Sequence, residues 1–158
     1  MLMGKKRALG QYVDQIQVGD SFHTESNIED KDILIYLGLS DDANPVYIQH
    51  NYAVQTAYQK PIVPHVMLVG IVYSSINKHI PGPGSVVLSS QFEFPEVLYH
   101  YAKIDTHLDV IALHPKQNEV TFSVLIKDEQ SRTVLRGKVK VAPPLPLKPL
   151  HENAFENF

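Results

Sequence analysis

The segment from His65 to Lys78, HVMLVGIVYSSINK, constrains the fold more than any other stretch. Val66, Met67, Leu68, Val69, Ile71, Val72, Tyr73 and Ile76 make it nearly continuously apolar. A helix apolar on most of its sides is one buried on most of its sides. The preceding prolines, Pro61 and Pro64, bracket a short extended piece, and IPGPG (80–84) breaks the chain hard after it. Everything beyond that break has the two-residue period of strands: SVVLSSQFEF (85–94), YAKIDTHLDVIAL (101–113), EVTFSVLIKD (119–128) and TVLRGKVKVA (133–142). Turn residues 114–118 and 128–131 close two hairpins between them. The pattern predicts an α+β fold in which a curved antiparallel sheet wraps one buried helix.

Upstream, residues 15–26 predict a first strand after a Gly19-Asp20 turn. Asn27 looks like the N-cap of a helix through IEDKDILIYLGL, with Asp30 as its box partner. Ile28, Ile35 and Leu39, with Ile33, Leu34 and Leu37, supply that helix with an apolar face. A short helix is expected from about Asn51. The boundaries are an unstructured N-terminus over 1–10, one domain over 11–143, and a proline-rich exit and tail over 144–158. A chain of 158 residues is long enough to bury one core.

Charge and composition exclude several functions. The net charge of −3 gives no general attraction to nucleic acid or to an anionic membrane, and Lys5-Lys6-Arg7 is a short basic cluster near the N-terminus. The absence of cysteine rules out disulfides, thiolate chemistry and cysteine-ligated zinc. His23, His79, His107, His114 and His151 are scattered without zinc-like spacing, so no metal site is expected. The start of the chain has no apolar signal core and no run reaches transmembrane length, so the expected location is the cytoplasm, without membrane insertion.

The stretch SDDANPVYIQHNYA (40–53) is a turn carrying two carboxylates between two helical segments. Asp42 and Asn44 are good turn formers, and capping alone would account for them. His50 fits a surface position before a helix. His65 fits a packed, hydrogen-bonded histidine at the start of the apolar helix. Ser74 can bond back to the carbonyl four residues earlier, and Gly70 suits close packing.

SDDANPVY, AYQKPIVPHVML, and INKHIPGPGSVVLSSQFEFPEVL with the strands after it resemble the MaoC-like hydratase and dehydratase family, which includes the (R)-specific enoyl-CoA hydratases. The resemblance spans about Gln15 to Pro143. It implies a single hot-dog fold, a homodimer or dimer-based oligomer, an acyl-CoA or acyl-carrier thioester as substrate, and no cofactor. It implies that Asp42 is the catalytic carboxylate, that Asn44 and Pro45 shape the turn, and that Ser74 lies near the Asp from the helix. His65 precedes the helix, with one residue inserted in IVPH, and the amide of Val66 binds the thioester oxygen. Tyr47 stands where active members have a catalytic histidine. An unperturbed phenol titrates near ~10, far from a base poised at neutrality. Tyr47 holding a water, His50 or His65 would have to stand in. In VLYHYA, Tyr99 and His100 fall near a dimer or substrate edge. Three readings follow: a hydratase or dehydratase, a non-catalytic thioester-binding protein or partner subunit, and a hot-dog thioesterase.

Overall fold

The computed structural model describes residues 8–147. The basic cluster at 5–7, His151 and most of the expected tail lie outside the described residues. The elements in chain order are β1 (Ser21–Asn27), α1 (Asp30–Ser40), α2 (Pro45–Ile48), α3 (His50–Ala53), α4 (His65–Lys78), β2 (Val86–Glu93), β3 (Lys103–His114), β4 (Glu119–Asp128) and β5 (Thr133–Ala142). The strands form one antiparallel sheet in the order β1-β3-β4-β5-β2, so β1 and β2 are its edges. This is the α+β hot-dog arrangement. Among the described residues no helix is long and apolar enough to cross a membrane.

β3 and β4 alternate between buried and half-exposed side chains, and their inner residues Ile104, Leu108, Val120, Phe122, Val124 and Ile126 share one core with Leu68, Val72 and Ile76 of α4. The helix is narrower in its burial than its composition predicts. Of its residues only Leu68, Val72, Ser75 and Ile76 are buried, while Val66 is 52% exposed. One face meets the sheet of its own chain and the other apolar positions are left partly open. Gly70 has no neighbouring atom within contact of where a Cβ would stand, so close packing does not explain it.

The N-terminal half corrects four expected boundaries. Residues 13–15 form a 3-10 turn and the strand starts only at Ser21, because Gly19, at φ +97°, reverses the chain and donates to Val110 O. Asn27 is the last residue of β1, opposite Lys103, and the cap of α1 is Glu29, whose amide donates to Asp32 Oδ2 at 2.9 Å. Pairing to β3 outweighs the capping preference of Asn27. α1 buries Ile33 but leaves Leu34, Ile35 and Leu39 exposed. The helix expected from Asn51 is the single turn α3, beginning at His50. Gly10, placed by the sequence in an unstructured terminus, is docked: its amide donates to Pro83 O at 2.8 Å, and a Cβ there would lie 2.2 Å from Pro81 O.

Candidate active site

The Asp-Asp-Ala-Asn-Pro turn begins where α1 ends. Asp41 takes a left-handed conformation, φ 55°, and its amide donates to Leu37 O, which terminates the helix. Asn44 then accepts from Val46 N–H at 3.2 Å through Oδ1, and Pro45 occupies the first helical position, so the Asn-Pro pair starts α2 by capping. Between these two stops Asp42 is fixed by Tyr36, whose hydroxyl donates to Asp42 Oδ2 at 2.7 Å. The turn is tied to the approach of α4, since Ile62 N–H donates to Val46 O at 3.1 Å and Val63 N–H to Leu98 O at 2.8 Å.

Tyr47, on α2, is half-buried. Burial first, and then the Asp42 carboxylate, push its phenol above the ordinary tyrosine range, with the Asn44 side chain opposing. A phenol in that setting keeps its proton at neutral pH and acts as a hydrogen-bonding group. Tyr47 lines a cavity of about 190 Å³ with Asp30, Ile33, Leu34, Ile48, His50 and His100. Asp42, His65 and Val66 do not line it.

Of these lining residues, Asp30 is expected from the sequence only in a capping role, and His100 only near a dimer or substrate edge. His100 Nδ1 lies 3.2 Å from Asp30 Oδ1, and the Tyr101 hydroxyl donates to Asp30 Oδ2. The Tyr101 bond, more than the nearby His100 and His50, holds the Asp30 carboxyl below its usual range against the effect of burial. His100 Nε2 is buried without a partner. Asp30 and His100 are 70 positions apart in the chain, so spacing carries no sign of the dyad. The return of the chain through VLYHYA beside α1 creates it.

His65 opens α4 and stacks on Phe94, with ring centroids 4.3 Å apart and planes 6° apart. Its Nε2 is buried and unpartnered, and burial lowers its pKa, so the ring is neutral near pH 7. Met67 N–H donates to Pro64 O, while the amides of His65 and Val66 make no backbone hydrogen bond. Those free amides give the start of α4 a site for negative charge. Ser74 is set apart from Tyr47, in a groove with Thr24, Ser26, Met67, Ile71 and Lys78, and it is Ser75 that bonds back along the helix, to Ile71 O at 2.8 Å. The structure thus joins Asp42 with Tyr47 and Tyr36, and Tyr47 with His50, Asp30 and His100. Ser74 belongs to neither group.

No protein-family model matches the chain. Over 133 residues, 84% of this chain and 92% of the relative, it is 25% identical to an (R)-specific enoyl-CoA hydratase of Rhodospirillum rubrum. It is 22% identical to the (R)-specific enoyl-CoA hydratase of Aeromonas caviae over 82% of this chain and 96% of that one. Among solved structures, the unliganded R-hydratase PhaJ1 of Pseudomonas aeruginosa superposes with a TM-score of 0.80 at 22% identity, covering 90% of this chain and 94% of that one. The MaoC-like dehydratase of Rhodospirillum rubrum gives 0.72 at 17% identity, covering 87% and 100%.

Proposed function

We propose that this chain, which belongs to the MaoC-like hot-dog hydratase family, adds water to a 2-enoyl thioester and removes it from the (R)-3-hydroxyacyl thioester. In the forward direction a C3–O bond forms as the C2–C3 double bond opens. The attacking water gives its proton to Asp42, and C2 takes up a proton from an acid at the site. The thioester oxygen gains enolate charge in between, and the free amides of His65 and Val66 suit it. A water held by Tyr47 through hydrogen bonds, or else the imidazole of His50 or His65, takes the place of the missing histidine. The chemistry requires no cofactor.

The observation that carries this reading is the Asp42 turn. Supporting it are the Tyr36 hydroxyl bonded to the carboxylate and the influence of that charge on the Tyr47 phenol, within a chain whose curated relatives include enoyl-CoA hydratases. One observation favours a second reading, a thioester-binding protein without turnover: the phenol at position 47 has its pKa raised, away from a base. Crotonyl-CoA absorbance loss and crotonyl-CoA binding, measured side by side, separate the two. Turnover abolished by Asp42→Asn with binding intact supports the hydratase, and Tyr47→His should then raise the rate by about 10²-fold. Binding without turnover in both wild type and Tyr47→His supports the second reading. Absence of binding refutes both.

We propose that the working form is a homodimer or a dimer-based oligomer, with the cytoplasm as its location. Supporting self-association are the exposed apolar side chains of α1, Val66 at the start of α4, and Val86 and Leu88 on the edge strand β2, which is paired on one side only. Light scattering at micromolar concentration tests it, and a monomer mass refutes it.

A further inference from the structure

The outward face of β1 and β3 carries a side-chain group that the hydration reaction does not use. His23 on β1 stands directly opposite His107 on β3. Asp105, two residues before His107, projects from the same face of the sheet. The inward positions on either side of His107, Thr106 and Leu108, are buried. The two imidazole rings are stacked, 4.5 Å between centroids and 29° between planes. Both present Nε2 to one carboxylate, His23 to Asp105 Oδ1 and His107 to Oδ2, the latter at 3.1 Å. One ligand atom from each of the three residues lies within 4.8 Å of the others, and among the described residues no other trio of His, Cys, Asp or Glu meets that condition.

We propose that His23, Asp105 and His107 form a binding site for a first-row transition-metal dication of the Zn²⁺ or Co²⁺ class. Two imidazole nitrogens and one carboxylate oxygen come from the protein and water completes the sphere. The donor set decides the class: imidazole suits zinc, cobalt, nickel and copper, whereas magnesium and calcium take oxygen ligands alone. The scale fits as well. Metal–nitrogen bonds of about 2.0–2.1 Å place neighbouring ligand atoms some 3–4 Å apart, so rotation about side-chain bonds is enough to close the site. The backbones are already fixed, because a directly paired cross-strand couple holds its Cβ atoms about 4.5–5.5 Å apart. The side chains are half-open to solvent, 50% for His23, 39% for Asp105 and 40% for His107, which leaves room for entry and for water ligands.

The surroundings carry both signs of charge. Glu25 on β1 faces Asp105 across the strands and Asp109 follows on β3, while Lys127 is the register partner of Asp105 on β4. Lys127 makes no ion pair with Asp105; the carboxylate is engaged by the two imidazoles. β1 is an edge strand, paired to the sheet through β3 alone. A metal across His23 and His107 would therefore clamp the free edge of the sheet, a role distinct from the Tyr47 cavity.

The test uses full-length protein without an affinity tag, stripped by a chelator. Co²⁺ titration followed by visible absorption should show one equivalent per chain, displaced by Zn²⁺. Zn²⁺ at about a hundredfold excess over Kd should raise Tm by roughly 5–10 °C. Both signals should be lost in the double variant His23→Gln/His107→Gln and in Asp105→Asn. They should persist in His50→Gln/His100→Gln, which controls for the histidines near Tyr47. Circular dichroism checks that each variant is folded, and Asp105→Asn alone decides if the double variant is not. Absence of stoichiometric Co²⁺ and Zn²⁺ binding overturns the proposal. So does binding that survives loss of the three residues, or binding that follows His50 and His100 instead.

Discussion

Asp128 closes the β4–β5 hairpin with a side chain that is 2% exposed. Its Oδ1 accepts from the backbone amides of Gln130 at 3.0 Å and Arg132 at 2.9 Å, while Oδ2 accepts from Arg132 Nε at 2.8 Å and Nη2 at 2.7 Å. Asp128→Ala leaves two turn amides without their acceptor and a guanidinium without its partner. At about 1–1.5 kcal/mol for each amide, discounted for water reaching exposed Gln130, and about 1 kcal/mol for the half-open guanidinium, the loss is about 3 kcal/mol. Asp128→Asn keeps an oxygen for the two amides but loses the charge, costing about 1–2 kcal/mol. Arg132→Ala should cost no more than about 1 kcal/mol, because its side chain is 38% exposed. Urea unfolding at fixed protein concentration reads the series. With a slope near ~2 kcal/mol/M, the Asp128→Ala midpoint falls by about 1.5 M. If Arg132→Ala costs as much as Asp128→Ala, the ion pair holds the hairpin and the reasoning from the amides is wrong.

Gly137→Ala should cost about 3 kcal/mol and lower Tm by roughly 6–12 °C, since its Cβ would lie 2.0 Å from Gln91 O on the neighbouring strand, a backbone atom that cannot swing aside. An unchanged melting curve would refute the contact. Leu68→Ala removes a fully buried side chain from the α4 stripe and should cost about 3–5 kcal/mol by urea titration. A cost below 1 kcal/mol would mean that α4 does not anchor the core. Acidification should destabilise the fold through His65, whose folded pKa is depressed by burial. Above the unfolded value near ~6.5 the ring is neutral in both states. As pH falls through and below that value the unfolded chain takes up the proton first, and stability declines towards the folded pKa. His65→Gln should flatten that decline between pH 7.5 and 5.5, and an identical slope would place its cause elsewhere.

The bounds of α4, β4 and β5 were legible because each rests on a local signal: a dense apolar run after Pro64, and alternation punctuated by the Asn118 and Asp128 turns. The helical turn α2 was read only as part of the turn around Asn44 and Pro45, because four residues carry too short a pattern to show a helix. The end of β1 was not, because Asn27 is a good cap locally and only its pairing with Lys103 decides its state. The exposed half of α4 was missed because an apolar run does not say how many sides one chain can cover. Asp42 and Tyr47 come together as neighbours on one turn, but the tie of Asp42 to Tyr36 depends on how α1 ends. The Asp30–His100 dyad and the His23–His107 pair escape any reading by spacing, since 70 and 84 positions separate the partners: the first is made by the VLYHYA turn passing beside α1, the second by the register of β1 on β3.

The strand order also sets a schedule. β2, made directly after α4, has no partner until β5 exists, because Val86 pairs with Ala142 and the intervening strands fill the middle of the sheet. The surfaces that cover Leu68, Val72 and Ile76 come from those same later strands. During synthesis α4 therefore leaves the ribosome with its apolar stripe bare, and stays so while residues 79–142 are added. At about 5–20 residues per second that interval lasts roughly 3–13 s. For those seconds the nascent chain presents a greasy helix and an unpaired strand to its surroundings, which makes this window, rather than the finished protein, the stage at which a holdase chaperone has something to grip.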